Sequence, residues 1–272
     1  KKIYLIILCC FGMFSLNAQN CTGSTTLSTQ TEVDNFVATH AGTGCDTILG
    51  LLTIGNDSGT TNNITDISGL SFLNDVRNSI IIQNTSLTSL NGLHNITSFG
   101  YGTTSTLQIR NNPNLISLVG LEGLSSLPYG GSCTIENNTS LTSLNGLNGI
   151  SSVTGIFRIL DNPSLLNTDG LNNLSSVDMD QFLISNCDQL QTIALPAFTS
   201  LIEVLRIEEN DMLQSISVGN NANLNIKDLK IVNNQNLTDI QFKLGNVSTA
   251  NDGTGVWIRG NTSLNNLSLL SL

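Results

Sequence analysis

The sequence predicts an all-β chain, a right-handed parallel β-solenoid of about nine coils behind a short, disulfide-closed N-terminal helical cap. Three observations carry this expectation. An isoleucine-anchored segment recurs every 23–28 residues from Ile54 onward, a period at which chains stack supersecondary units. Each copy opens on apolar–polar alternation and then places an apolar residue at every third position. The spacers are Asn, Ser, Thr and Gly, which is the chemistry of strands and turns and not of helices. Charged residues make up only 11% of the chain and aromatics 5%. Aliphatic side chains must therefore be buried behind an uncharged polar coat, whereas exposed helix faces carry Glu, Lys and Arg.

Residues 1–18 read as a secretory signal peptide. Lys1 and Lys2 precede an apolar run over 3–14, and Ala18 offers a small residue at a cleavage point. The run is shorter than the ~20 residues that cross a bilayer, so no membrane-spanning segment is expected after cleavage. Residues 19–48 form the cap. Four cysteines follow the leader, Cys21, Cys45, Cys133 and Cys187. An even number in an exported chain suits disulfides, although spacing alone does not give connectivity. Cys21 and Cys45 flank the one segment without a repeat and are expected to pair. Between them, Thr29-x-x-Glu32 matches a capping box, and Val33, Phe36 and Val37 make an apolar stripe at helical spacing. A short helix is expected across the open end of the first coil, where strand edges would otherwise be bare.

Residues 49–272 form the solenoid. Its anchors are Ile54, Ile81, Ile109, Ile135, Ile159, Ile184, Ile207, Ile231 and Ile258, and the repeat reads L-x-I-x-x-N-x-x-L-x-x-L-x-G-L-x-x-L-x-x-V, nearly whole over 107–124. Three residues past the anchors stand Asp57, Asn84, Asn112, Asn138, Asn162, Cys187, Asn210, Asn234 and Asn261. An amide at a fixed bend can donate and accept along the stack, so this column is read as structural. Cys187 lies in that column and Cys133 in the inward leucine column, two coils apart, and both are expected to be buried free thiols. In the later coils the Gly-Leu step disappears. Pro196 and Phe198 stand in its place over 190–204, and 213–228 keeps only part of the pattern; shorter bends are expected there. The pattern breaks off in mid-coil at Leu272, so the solenoid is expected to be truncated at its C-terminus.

The L-x-I-x-x-N core resembles a leucine-rich repeat, but its N-x-x-L continuation departs from the usual N-x-L. Taken from the Cys21–Cys45 cap through LTSLNGL to the SSVTG coil ends, the chain looks more like receptor L-domain-like repeats, over roughly residues 20–272. That resemblance implies the fold of the ligand-binding L domains of insulin and epidermal growth factor receptors. The repeats and the Ala18-Gln19 leader end also resemble proteins exported by Bacteroidetes bacteria. The resemblance carries no ligand-contact motif onto particular positions of this sequence.

Twenty Asp and Glu against ten Lys and Arg give a net charge of −10, which disfavours nucleic acid as a partner. The two histidines, His40 in the cap and His94 in a turn, are read as polar surface and point to neither a zinc triad nor a Ser-His-Asp arrangement. No cofactor or metal is expected, and 251–255 (NDGTG) reads as a turn, not a calcium loop. What varies freely is the outward strand position beside each anchor. There the sequence places Arg158, Arg206, Glu208, Lys230, Trp257 and Arg259, a candidate recognition face for a partner protein or an acidic glycan. Glu208 is the one carboxylate expected near this cluster, with no second acid on the adjoining strands. The reading is a secreted or cell-surface, non-enzymatic binding or adhesion protein. A carbohydrate-active β-helix enzyme and a spacer for a further C-terminal domain are the alternatives.

Overall fold

The structure, a computed structural model, describes residues 19–102, 104–175, 179–198, 202–219, 223–247 and 255–265. The expected signal peptide, most of the 251–255 turn and the end of the last coil lie outside them. The chain opens with β1 (Gln19–Thr22), β2 (Thr25–Leu27) and helix α1 (Gln30–His40), followed by β3 (Cys45–Ile48) and β4 (Leu52–Gly55). Next come β5 (Asp75–Val76), β6 (Ile80–Gln83), β7 (Ser98–Phe99), β8 (Thr106–Arg110), β9 (Ser132–Glu136), β10 (Ile156–Leu160) and β11 (Met179–Ser185). The later elements are β12 (Thr192–Leu195), β13 (Ile202–Glu208), β14 (Ser215–Val218), β15 (Asn223–Val232), β16 (Asp239–Gln241), β17 (Lys243–Val247) and β18 (Val256–Arg259).

These strands make a parallel β-solenoid. One long sheet runs β2-β4-β6-β8-β9-β10-β11-β13-β15-β17, and β18 also pairs with β15. A second sheet, β1-β3-β5-β7, backs the first coils, and a third, β12-β14-β16, backs the later ones. In β8, β9 and β10 every second residue is buried, so Leu107, Cys133 and Phe157 stack as one inward column and Ile109, Ile135 and Ile159 as the next. Phe157 and Phe182 stack with centroids 5.7 Å apart. Burial pushes the Cys133 and Cys187 thiols up to about 12, with the Asn162 backbone N–H opposing that shift at Cys187. Both cysteines are buried and free.

The glycine of the repeat is required by the backbone. Gly146 has φ +115°, and a Cβ there would lie 1.9 Å from the Leu118 carbonyl oxygen. The later coils lose this glycine and are not merely shorter bends. Thr192–Leu195, Ser215–Val218 and Asp239–Gln241 pair in register as the third sheet, because each keeps an apolar–polar alternation that a strand can use.

The cap is continuous with the coils, since β1 pairs with β3 and β2 with β4. Cys21 and Cys45 form a disulfide with Cα atoms 4.9 Å apart. Thr29 caps α1 by accepting from the Glu32 N–H at 3.2 Å, and the Glu32 carboxylate accepts from the Ser28 N–H. Val33 and Phe36 are buried, and Phe36 stacks on Phe72 at 6.1 Å. The Gln30 side chain binds the Asp66 carbonyl and accepts from the Thr65 and Asp66 N–H groups, which ties the helix to the first full coil.

One register differs from the sequence reading. Ile54 pairs with Ile82 and Ile82 with Ile109, so the second anchor is Ile82 and not Ile81. Three consecutive isoleucines leave the alternation degenerate, and a one-residue slip exchanges the two faces of a strand. Ile80 and Ile82 face the core, and Ile81 faces out. Asn84 therefore leaves the amide column, and Thr85 takes its place, donating through N and Oγ1 to Asn112 Oδ1 at 3.0 and 2.7 Å. Asp57 also leaves it, lying instead against Arg110 and Gln83.

From Asn112 the column is a hydrogen-bonded ladder. Asn138 Oδ1 accepts from Asn112 N and Nδ2, both at 3.1 Å, while Asn138 Nδ2 donates to the Ile109 carbonyl at 3.0 Å. Asn162, Asn210, Asn234 and Asn261 repeat these bonds in their coils. At Cys187 the amide is missing, although its N–H still donates to Asn210 Oδ1 at 3.1 Å.

Candidate recognition site on the long sheet

Parallel pairing brings the outward residues of β13, β15 and β18 into rows. Arg206 pairs with Lys230 and Lys230 with Trp257; Glu208 pairs with Val232 and Val232 with Arg259. Beyond them lie Glu209, Asn233 and Gly260, all with positive φ, at 58°, 58° and 69°. With neighbouring strands ~4.8 Å apart, these residues form a three-by-three grid centred on Val232. The grid encloses an open hollow of about 420 Å³ lined by Arg206, Glu208, Glu209, Lys230, Val232, Asn233, Trp257 and Arg259. Val232 is the apolar floor, and Trp257, 46% exposed, is one wall.

The structure thus gathers five of the six sequence-derived candidates, Arg206, Glu208, Lys230, Trp257 and Arg259. Arg158 stands apart. It pairs in register with Leu183 on β11, and its Nε donates to Gln181 Oε1 at 2.8 Å.

The expectation that no second acid adjoins the basic cluster is corrected by Asp228. Its side chain is only 6% exposed, and its Oδ2 lies 3.4 Å from Arg206 Nη2 and 3.3 Å from Lys230 Nζ. Two cations share one carboxylate oxygen, while Asp228 Oδ1 and Arg206 Nε are buried without a hydrogen-bond partner among the described residues. This triad sets the direction of the two basic side chains. It also lies where β15 changes partner, from β17 over Asn223–Ile226 to β18 over Leu229–Val232. Asp228 is two residues before Lys230, so continuing the outward alternation one step further along β15 would have found it.

Glu209 is the other residue the sequence reading missed. Its position is left-handed in every coil where φ is positive at this bend, and the other occupants are Asn84, Asn111, Asn137, Asp161, Asn186, Asn233 and Gly260. Asn, Asp and Gly tolerate that backbone; Glu has no short side chain to stabilise it. The coil that departs from the rule is one that lines the hollow.

Arg259 forms no salt bridge among the described residues, in contrast to Arg206 and Lys230. Those residues also contain no group of three or more His, Cys, Asp or Glu placed to hold a metal ion.

Residues 44–145 match the family model of the receptor L domain. Over those residues the chain is similar to the receptor L domain, an extracellular, ligand-binding type of domain, and the solenoid fold supports receptor L-domain-like repeats. The match covers less than half of the chain and ends before β13, so it assigns nothing to the hollow. Neither a curated protein nor a solved structure matches the chain. No helix among the described residues is long and apolar enough to cross a membrane.

Proposed function

We propose that this is a secreted or cell-surface protein of the kind exported by Bacteroidetes, and that it binds a protein or glycan partner, without catalysis, on the long parallel sheet. The observation that carries this reading is the segregation of charge. From position 19 onward there are eight Lys and Arg residues, and only Arg77 lies outside the strands of the long sheet. In a chain with a net charge of −10, such placement gives one face a distinct electrostatic character, and complementary potential guides association. Arg and Trp at the hollow are residue types that anchor interfaces, and the disulfide suits an oxidising compartment.

The test is binding of purified protein to whole cells or extracellular matrix. Trp257→Ala combined with Arg259→Ala should reduce retention at least tenfold with the circular dichroism spectrum unchanged. Wild-type retention in that variant would remove the hollow from the proposal and favour a spacer. Arg206→Ala with Lys230→Ala is the poorer choice, because it strips Asp228 of both its counter-ions.

A carbohydrate-active reading draws support from Glu208 and Glu209 lining the same hollow. Glu208 and Asp228 are poorly placed as a hydrolytic pair. Their offset of four residues on adjacent strands separates the backbones by about 14 Å, and the Asp228 carboxylate is held by Arg206 and Lys230, whereas glycosidases set two carboxyl groups ~5–10 Å apart about the scissile bond. Release of reducing ends from acidic polysaccharides, abolished by Glu208→Gln, would overturn the binding-only reading.

A further inference from the structure

We infer that the hollow between β13, β15 and β18 is a subsite for a sugar acid, a pyranose ring bearing a carboxylate within an acidic glycan. This rests on the reading of the long sheet as a recognition face and names the ligand chemistry of that face. Four observations converge on it.

Val232 and Trp257 supply an apolar floor and wall. The C–H face of a pyranose packs on such a surface, and a half-exposed indole presents it without rearrangement. Arg259 has no acidic partner among the described residues, although Arg206 and Lys230 share Asp228. A guanidinium that faces a hollow with no ion pair to the described residues can take a ligand carboxylate in a two-point contact. Across Val232 from Arg259, about 10 Å away in backbone spacing, the opposite wall carries Glu208 and Glu209. Carboxylates accept hydrogen bonds only, so a ligand that covers them must offer donors or leave them desolvated at a cost. The hydroxyl groups of a sugar meet that requirement along the whole rim, and the Asn233 amide serves the same edge.

The fourth observation is independent of the other three. Glu209 occupies a left-handed position, φ 58°, that elsewhere holds Asn, Asp or Gly. Backbone strain of this kind persists where the surroundings or the ligand demand the side chain. Placing a carboxylate here, in a chain whose repeat prescribes Asn, marks a choice made for the hollow and against local stability.

Trp257 is the only tryptophan of the chain, so its fluorescence reports this site directly. Oligogalacturonate should change the emission saturably, and the signal should weaken as salt is raised. The fully methyl-esterified oligomer, with the same ring and no charge, should bind at least about tenfold more weakly, and Arg259→Gln should cost a similar factor for the acid form, the size of one charge-assisted hydrogen bond. Glu209→Asn should lower affinity several-fold while the melting temperature holds or rises, a combination that a purely structural role for Glu209 does not produce. Equal binding of the acid and the ester would overturn the assignment of a sugar acid. So would a failure of every saccharide to bind while retention on cells still depends on Trp257 and Arg259; the recognition face would then stand, with a protein as its ligand. If cell retention is also indifferent to both residues, the reading of the face falls together with this inference.

Discussion

Asp228 is the residue on which the basic part of the site depends. It sits almost out of water with two cations on one oxygen, an arrangement that costs desolvation and returns it only while both partners stay. Arg206→Ala or Lys230→Ala alone leaves one counter-ion. Each is expected to destabilise by about 1–2 kcal/mol, less than a fully buried pair because both cations are about a third exposed. Removing both should cost more than the sum of the singles, since a buried, unpaired carboxylate remains. Adding Asp228→Asn should recover part of that loss. Urea denaturation of the four variants measures the coupling, and strictly additive values would show that the triad is not a unit. The candidate site was legible in the sequence wherever alternation beside an anchor fixed the outward side, as at Arg206, Lys230 and Trp257. It was not legible at Glu209, and at Asp228 only in part. One more step of alternation marks Asp228 as outward, but its burial depends on how its neighbours fold over it. Glu209 matters through its φ, which the letter Glu gives no reason to expect.

The amide ladder gives each coil its bend, and it is the element in which one wrong residue is most visible. Asn112, Asn138 and Asn162 each accept from a neighbouring coil and donate to a strand carbonyl, so no buried polar group at the bend is left unpaired. Cys187 interrupts this, its sulfur lying 3.5 Å from the Ser185 carbonyl oxygen. Cys187→Asn should replace the sulfur that the Asn162 N–H now faces with a stronger oxygen acceptor and add an amide donor toward the preceding strand, stabilising the chain by about 1 kcal/mol. A rise in the urea midpoint at unchanged slope is the expected result. A fall would mean that the space around the sulfur is too small for a carboxamide. This ladder was legible in the sequence because the bend recurs with one chemistry. Its start was not, since 80–82 reads Ile-Ile-Ile and only pairing with Ile54 and Ile109 decides the register. The third sheet was hidden for a different reason. Loss of the glycine was visible, but the alternation left behind in Thr192–Leu195 or Asp239–Gln241 is three or four residues long, too short to distinguish a strand from a bend until neighbouring coils stack on it.

At the scale of the whole molecule, each coil packs on the coils before and after it, with Arg110 reaching one coil further to Asp57, so stability is approximately a sum of coil terms and nearest-neighbour terms. A perturbation at one end should therefore stay there. The disulfide offers a clean case. It closes a segment separated by 24 residues between Cys21 and Cys45, for which chain entropy gives about 3 kcal/mol, and it links β1 to β3 across the segment that carries α1. Once it is replaced by Cys21→Ser with Cys45→Ser, the cap is held by the buried Val33 and Phe36, the Phe36–Phe72 stack and the Gln30 contacts. Those contacts all end on the first full coil, and none reaches β8. Hydrogen exchange should accelerate by one to two orders of magnitude in α1, β1 and β3, fade through β5 and β6, and leave β9 to β15 unchanged. The main thermal transition should keep its midpoint while a smaller one separates below it. Uniform acceleration in every coil, with a single lowered midpoint, would show instead that the stack unfolds as one cooperative body. In the graded case the recognition site on β13, β15 and β18, at the opposite end of the stack, should bind its ligand with wild-type affinity even when the cap is open.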